Sequence, residues 1–209
     1  MKKLLFFVLA LTFIIACTKT EEKKVEGTDQ QTVTTQEAPK PVVSQRYGIK
    51  SGVIFYDAPM GAKQELYFDD YGAKEVSITS VDFGVAKSKT IEIRKDGFSY
   101  TYEEGKTEGT KKAWYAPAST DYSKADPRTT ERYKVKDLGT ETVAGKECKK
   151  FSAEFSGSPI ISWTWNNLMV KSITKMGDAE FVIEATKIQD GSLDSKIFEL
   201  PAGVTFKEL

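Results

Sequence analysis

From Tyr47 onward, the chain alternates short runs rich in Val, Ile, Phe and Tyr with turns built from Gly, Asp and Asn. No other feature constrains the fold as much, because such runs bounded by turn residues are typical of strands joined as hairpins. In the clearest case, the alternating run Thr90–Arg94 is followed by Lys95-Asp96-Gly97 and then by Phe98–Tyr102. Asp-Gly between two strands is a strong hairpin signal. The pattern predicts a mainly β domain with an antiparallel sheet and minor α-helix.

The same reasoning predicts further strands, and it also predicts which side chains share a face, because successive side chains on a strand point to opposite sides. One face carries Phe151, Ala153 and Phe155, whereas Cys148 lies on the other. Residues Thr129–Lys136 predict a short helix capped by Thr129 or Thr130. The further predicted strands are Ile49–Tyr56, Gln64–Phe68, Glu75–Thr79, Cys148–Phe155, Ile160–Trp165 (with Ile161, Trp163 and Trp165 on one face), Leu168–Lys175 and Ala179–Ile188.

The N-terminus has the features of an export signal. Two lysines precede an apolar run, Leu4–Ile15, which is too short to span a bilayer as a helix of roughly 20 residues. The sequence Ile14-Ile15-Ala16-Cys17 resembles the lipobox of bacterial lipoproteins. This resemblance implies that residues 1–16 are a cleaved signal peptide, and that Cys17 is thioether-linked to diacylglycerol and acylated on its new amine. The alternatives are an ordinary signal peptide with an incidental cysteine, or an N-terminal anchor helix.

A lipidated Cys17 would make the membrane a partner of the protein, since several acyl chains together hold a protein stably on a bilayer. The lipoprotein rule of enteric bacteria adds that Thr18, in place of an aspartate, favours the outer membrane facing the periplasm over the inner membrane. Residues 17–45 are then the lipidated cysteine and a disordered tether, rich in charged residues, Thr, Gln and Pro. Residues 46–209 remain as a single β domain.

Composition excludes several classes of function. The 30 Lys and Arg residues are balanced by 30 Asp and Glu residues, so no basic surplus is available for a nucleic-acid partner. The absence of histidine removes the commonest general base and metal ligand, and with them Ser-His-Asp and Cys-His catalysis. We therefore expect that the protein is not an enzyme and uses no cofactor or metal.

Two local features suggest chemistry and are interpreted otherwise. Ser172 and Lys175 have the Ser-x-x-Lys spacing of penicillin-recognising enzymes, which works on a helix. On a predicted strand these two side chains point to opposite faces. Cys148 is the only cysteine left if Cys17 is lipidated, so no intramolecular disulfide is expected. Cys148 is interpreted as an inert thiol.

The C-terminal part carries motifs in a fixed order. Val143–Cys148 leads into a strand, Trp163-Thr164-Trp165 precedes a turn, Leu168–Lys171 opens the next strand, and Phe198–Val204 closes the chain. Over roughly residues 140–209, this order resembles the LolA/LolB-like superfamily of lipoprotein carriers and receptors. The resemblance implies an unclosed, strongly curved antiparallel half-barrel with short helices and a cavity for an acyl chain or another apolar ligand. It also implies a role in lipid or lipoprotein trafficking in the cell envelope.

Six side chains are predicted to line that cavity, because apolar and aromatic groups are the usual walls of small-molecule sites. The open alternatives are that they form only a packed core, or that the protein is a surface or periplasmic structural or interaction lipoprotein without a cavity. The protein partner in that case is unknown. Asp57–Gly61 and Ser158–Ile161 are candidates for the protruding apolar loop of the receptors. The six predicted ligand-binding residues are Trp163, Trp165, Phe151, Phe155, Phe181 and Ile183.

Overall fold

The structure is a computed structural model, and it describes residues 45–115 and 122–209. Residues 42–209 form one compact unit. The predicted signal peptide, the lipidation of Cys17 and the tether as far as residue 44 lie outside the described residues. Within the described ranges, no helix is long and apolar enough to cross a membrane.

The described residues form one sheet of twelve strands. Neighbouring strands are antiparallel, except that β12 runs parallel to β6. One short α-helix, α1 (Pro127–Arg132), precedes β7. The strands are β1 (Gly52–Asp57), β2 (Lys63–Asp69), β3 (Lys74–Asp82), β4 (Lys87–Lys95), β5 (Phe98–Glu103), β6 (Glu108–Ala113), β7 (Lys136–Val143), β8 (Lys146–Phe155), β9 (Ser158–Trp165), β10 (Leu168–Met176), β11 (Ala179–Asp190) and β12 (Thr205–Glu208).

The sheet is open and strongly curved. Its spatial order is β12-β6-β5-β4-β3-β2-β1-β11-β10-β9-β8-β7, so β12 and β7 are two unpaired edges. Even so, β7 contacts β11 although three strands lie between them, and the Lys146 Nζ of β8 lies 3.8 Å from the Asp190 carboxylate of β11. The fold class predicted from the sequence, mainly β with an unclosed curved sheet and a short helix, is confirmed.

The hairpin between β4 and β5 forms as its sequence predicts. Lys95 pairs with Phe98, which leaves Asp96 and Gly97 as a two-residue loop. Both loop residues have positive φ, 52° and 78°. Such a turn matches the twist of the flanking strands, and Asp-Gly supports it because both residue types tolerate the left-handed region.

Strand register defines two faces of the sheet. We name them the Ile54 face and the Val76 face, after one buried residue on each. On the Ile54 face, one row across the strands contains Phe68, Glu75, Arg94 and Ser99. On the Val76 face, the adjacent row contains Val53, Tyr67, Val76, Ile93 and Tyr100.

Different segments cover the two faces. The C-terminal segment, residues 191–204, crosses the Val76 face and buries Phe198 against Val76, Ile91 and Ile93. On the Ile54 face, Tyr47 of the N-terminal segment packs edge-on against Phe68 with ring centroids 5.2 Å apart. Each face of the sheet therefore gains part of its core by long-range docking of a segment outside the strands.

The helix differs from its predicted bounds. Helix α1 is Pro127–Arg132, and the Asp126 carboxylate caps it by accepting the N–H groups of Arg128 and Thr129. A short helix is present as predicted, but its predicted bounds, Thr129–Lys136, and its threonine cap are wrong. Aspartate is a strong N-cap residue and proline is favoured at the first helical position.

Two other expectations need correction, and two strands were not predicted. Strand β1 begins at Gly52 and not at Ile49, because the Lys50 carbonyl accepts the Tyr71 N–H outside the sheet ladder. The candidate loop Ser158–Ile161 lies inside β9 and does not protrude. Strands β6 and β12 were not predicted, since Glu108–Ala113 is polar and glycine-containing and has no apolar alternation.

Candidate functional site

A cavity of about 560 Å³ lies between the Val76 face of β3, β4 and β5 and the C-terminal segment. Its floor comes from the sheet, its cover from the C-terminal segment and its mouth from charged side chains. The lining residues are Val76, Ile78, Ile91, Ile93 and Tyr102 of the floor; Ile197, Leu200, Pro201 and Val204 of the cover; and Lys89, Glu104, Gly105, Lys106, Lys196 and Glu199 of the mouth.

The floor is apolar because alternate residues of two paired strands point the same way. Val76 and Ile78 of β3 pair with Ile93 and Ile91 of β4, so all four side chains lie side by side. Tyr102 of β5 pairs with Ile91 and extends the floor. Burial raises the pKa of the Tyr102 phenol, which therefore stays neutral and offers a hydroxyl beside the apolar wall.

The cover is fixed in place by polar contacts. The Ser51 hydroxyl donates to the Gly191 carbonyl at 2.7 Å, where the segment leaves the sheet. The Asp194 carboxylate accepts the Lys196 N–H at 3.0 Å and caps the short 3-10 helix Ser195–Phe198. The Lys95 ammonium donates to the Phe198 carbonyl at 3.0 Å. The apolar side of the segment is thereby held over the floor.

The mouth carries more positive than negative charge, with three lysines against two glutamates. Lys89 and Glu104 form an ion pair at 2.8 Å, and the hydrogen bond that the Lys89 ammonium donates to the Glu104 carboxylate raises the pKa of Lys89. The ammonium groups of Lys106 and Lys196 form no ion pair within the described part of the chain. They are the cationic groups available to a ligand at this mouth.

A second, smaller cavity of about 390 Å³ lies beside the β9–β10 turn. Its lining is more polar and includes Thr164, Trp165, Asn166 and Cys148. Burial raises the pKa of the Cys148 thiol, which donates to the Lys146 carbonyl at 3.2 Å. The thiol is therefore protonated, in keeping with its interpretation as inert.

The structure divides the six predicted ligand-binding residues between the two faces. By strand register Trp163 and Trp165 lie on the Val76 face, and lysines cover their rings. Trp163 is also a buried member of the main core, and Trp165 packs against that core. The ammonium groups of Lys150 and Lys171 lie 4.7 and 5.1 Å from the Trp163 ring centroid, and that of Lys146 lies 4.6 Å from Trp165. These contacts have cation–π geometry. Trp165 lines the smaller cavity, and Trp163 lines neither cavity.

The other four predicted residues share the Ile54 face. Phe151 and Phe155 pack against Tyr122, and Phe155 stacks on Tyr133 with ring centroids 4.5 Å apart. Ile183 packs against the main core, whereas Phe181 is partly exposed. None of the six lines the 560 Å³ cavity.

The sequence did contain a signal for that cavity. The alternating run Thr90–Arg94 contains the isoleucines that form the floor, and the apolar residues of Ile197–Val204 form the cover. The six residues predicted from the C-terminal part lie instead on β8, β9 and β11.

The opposite side of the same strands holds a buried ionic network. Glu75, with 1% of its side chain exposed, forms ion pairs with Arg46 at 2.9 Å and with Arg94 at 3.1 Å. It also accepts a hydrogen bond from the Tyr47 hydroxyl. Both guanidinium groups lie over the Trp114 ring, at 5.0 and 5.8 Å from its centroid. These contacts tie the N-terminal segment and the residue after β6 to the sheet.

Glu92 extends this network. It accepts Arg94 Nη2 and the Ser99 hydroxyl, each at 2.5 Å. Burial raises the pKa of Glu92, but the hydrogen bonds from Arg94 and Ser99 outweigh it, and the net effect is a lowered pKa. Every carboxylate of this network thus has a cationic partner.

The residues that the structure describes contain no group of three or more acidic, histidine or cysteine side chains able to hold a metal ion.

No protein-family model matches the chain, and no curated protein matches it. Solved structures do match its fold. An uncharacterized conserved protein from Thermus thermophilus superimposes with a TM-score of 0.53, at 4% identity, over 77% of this chain and 91% of its own. The chain shares the curved, open sheet that its resemblance to LolA/LolB-like proteins predicts.

Two further structures are similar over part of their length. The MucA/MucB complex of Pseudomonas aeruginosa gives a TM-score of 0.49 at 13% identity, over 74% of this chain and 56% of that one. PNGF-II gives 0.47 at 14% identity, over 77% of this chain and 31% of its own. This chain thus spans about half of the former and a third of the latter.

Proposed function

We propose that this protein is a lipid-anchored bacterial envelope lipoprotein whose β domain binds the acyl chain of a single-chain anionic amphiphile, such as a fatty acid. The observation that carries the proposal is the 560 Å³ cavity, with its apolar walls and its surplus of lysine at the mouth. Its role is binding, within lipid or lipoprotein trafficking, and not catalysis or cofactor chemistry.

The size and walls of the cavity suit an acyl chain. Its volume falls within the range of about 300–1,000 Å³ that small-molecule sites occupy. The backbone groups of β3, β4 and β5 are paired within the sheet, so the floor offers a chain only side chains. Each methylene moved from water into such a site gains about 0.8 kcal/mol.

The mouth suits an anionic head group. With the chain inside, a carboxylate at the mouth would lie near Lys106 and Lys196, which have no ion-pair partner in the described residues. Hydrogen bonds in which one partner is charged are shorter and stronger than neutral ones. The lysines would therefore fix the direction in which the ligand enters.

The predicted lipid anchor at Cys17 agrees with this function, because it would keep the domain next to a source of acyl chains. We place the protein at the outer membrane, facing the periplasm. The alternative, an interaction lipoprotein without a cavity, expects a filled domain, and the cavity argues against it.

The test is a fluorescence titration of residues 42–209 with a dansyl-labelled fatty acid, followed by displacement with unlabelled palmitate. Ile78→Trp should abolish binding, because it fills the cavity. Thr90→Trp is the matched control, since it adds a tryptophan on the opposite, exposed side of the sheet. Saturable binding by the wild type and the control only would support the proposal. Equal binding by all three proteins, or by none, would refute it.

A further inference from the structure

Three hairpin turns stand side by side at one end of the sheet. They join β3 to β4, β1 to β2, and β10 to β11, and the six strands β4-β3-β2-β1-β11-β10 are consecutive in the sheet. The β1–β2 turn contacts both β3 and β11, so the turns form a continuous row. We call Met60, Phe83, Val85 and Met176, which lie in or beside these turns, the apolar tips.

The apolar tips are unusually exposed for large hydrophobic side chains. The exposed fractions are 79% for Met60, 57% for Phe83, 99% for Val85 and 60% for Met176. Phe181, 39% exposed, lies on β11 near the same end. Apolar side chains clustered on a surface mark an interaction site, whereas scattered ones do not.

The other turns of the sheet are different. At the opposite end, Tyr115 and Leu209 are exposed where β6 and β12 end, but the hairpin turns at residues 70–73, 96–97, 144–145 and 166–167 contain no exposed large hydrophobic side chain. On the same end, the flanking turns at 104–107 and 156–157 are also free of them. The apolar tips are therefore confined to three neighbouring turns.

The charges at the base of the three hairpins neutralise one another, whereas Asp178 of the β10–β11 turn has no ion-pair partner among the described residues. At the base of each hairpin an acid faces a lysine across the strand pair. The distances are 2.6 Å for Asp57–Lys63, 2.8 Å for Asp82–Lys87 and 3.7 Å for Lys175–Glu180. This end of the sheet therefore presents exposed apolar side chains in front of paired charges. Such a surface suits the uncharged interior of a lipid bilayer better than a charged protein partner.

We propose that the apolar tips insert into the surface of a lipid bilayer and hold this end of the sheet against the membrane. The predicted lipid anchor at Cys17 is the reason to expect a bilayer, and not another protein, at this surface. Residues 18–44 can span less than about 100 Å even when fully extended, so a lipidated Cys17 keeps the domain within reach of a bilayer. Such tethering makes a weak second contact effective.

The contact does not depend on the cavity holding a ligand. Glu104 and Lys106 of the cavity mouth lie in the β5–β6 turn at the same end of the sheet. A domain held in this way would present its mouth beside the membrane.

The test uses the full, processed lipoprotein in phosphatidylcholine vesicles. A nitrobenzoxadiazole label is placed at Met60→Cys, Val85→Cys or Met176→Cys, and at Asp96→Cys on the opposite end as a matched exposed control. The wild type measures background, because Cys148 is buried. Labels at the three apolar tips should show blue-shifted emission and lose most of it to brominated acyl chains, whereas the Asp96→Cys label should remain water-like.

Water-like emission at the three tips would overturn the proposal. So would tip labels that are shielded but not quenched by brominated lipid, since they would be covered by a protein or by a second copy of this chain. As a second variant, a Phe83→Cys label is placed in a protein that also carries Met60→Asp, Val85→Asp and Met176→Asp. Quenching should be lost there, with an unchanged circular dichroism spectrum. Retained quenching would contradict the insertion.

Discussion

Strands β3, β4 and β5 present two opposite surfaces that differ in chemistry and in packing. On the Ile54 face, Glu75, Glu92, Arg94 and Ser99 bond to one another. On the Val76 face, Val76 and the paired isoleucines border a cavity. The alternation of one set of strands thus supplies a hydrogen-bonded polar layer and, behind it, an apolar wall that borders a cavity.

This contrast between the two surfaces explains how a single sheet can border an open cavity and remain stable. A buried charge is very costly when it has no partner, so the ionic layer holds only if all its members are in place. An apolar wall loses only contact energy beside empty space, and that loss is recovered when a chain fills it. We expect changes on the ionic side to act on stability and changes on the cavity side to act on binding.

The largest effect is expected for Glu75→Ala. It leaves Arg46 and Arg94 without their shared carboxylate, and removing one partner of a buried pair costs about 3–5 kcal/mol. Urea denaturation measures the loss. The control is Asp57→Asn, which removes an exposed pair with Lys63 and should cost less than about 1 kcal/mol. Equal losses in the two variants would show that the network does not stabilise the fold.

A larger side chain should reduce the stability of the fold by different amounts on the two faces. Ile54 is fully buried, and Ile54→Phe should cost about 1–3 kcal/mol because overpacking strains a filled core. Ile78→Trp adds more volume but enters the cavity, so its unfolding midpoint in urea should move less than that of Ile54→Phe. A greater loss for Ile78→Trp would mean that the cavity has no room for an added ring.

The mouth lysines should set head-group preference. The double variant Lys106→Glu, Lys196→Glu should bind the dansyl fatty acid about tenfold more weakly, equivalent to about 1.4 kcal/mol, with no loss for a neutral alcohol analogue. Displacement titrations with both ligands measure this difference. Lys74→Glu, an exposed change at the other end of β3, should bind as the wild type does. A similar loss for both ligands would point to damage of the cavity instead.

The smallest effect concerns pH and Glu92. Its pKa in the folded protein is below the ordinary value of 4.5, so its ionised form stabilises the fold above that value. This stability is lost as the pH falls through the folded pKa. Glu92→Gln should therefore narrow the gap between urea midpoints at neutral and acidic pH, and Ser99→Ala should do so to a lesser degree. An unchanged gap in Glu92→Gln would exclude this role.

Local sequence signals predicted the strands well but not their assembly. The Asp96-Gly97 hairpin and the strand that bears Trp163 follow from turn chemistry and a period of two. The period also placed Phe151 and Phe155 together on one face correctly. It cannot say which faces of separate strands coincide, because that depends on register, and register shifts occur at Phe55/Tyr56 and Met169/Lys171.

The cavity depends on contacts that no local pattern contains. It exists because residues 191–204 dock on strands more than 90 positions earlier, fixed by Lys95 and Asp194. The lysines that cover Trp163 likewise come from β8 and β10. Sequence reasoning identified apolar side chains suited to a ligand, but long-range docking decided which of them border open space.

Native mass spectrometry of residues 42–209, purified without added lipid and followed by lipid extraction, tests the central claim most directly. The wild type should carry the added mass of a single-chain anionic lipid, and folded Ile78→Trp should have the mass of the polypeptide alone. A wild type without bound mass that also fails to bind added fatty acids would contradict the account, as would equal lipid in both proteins.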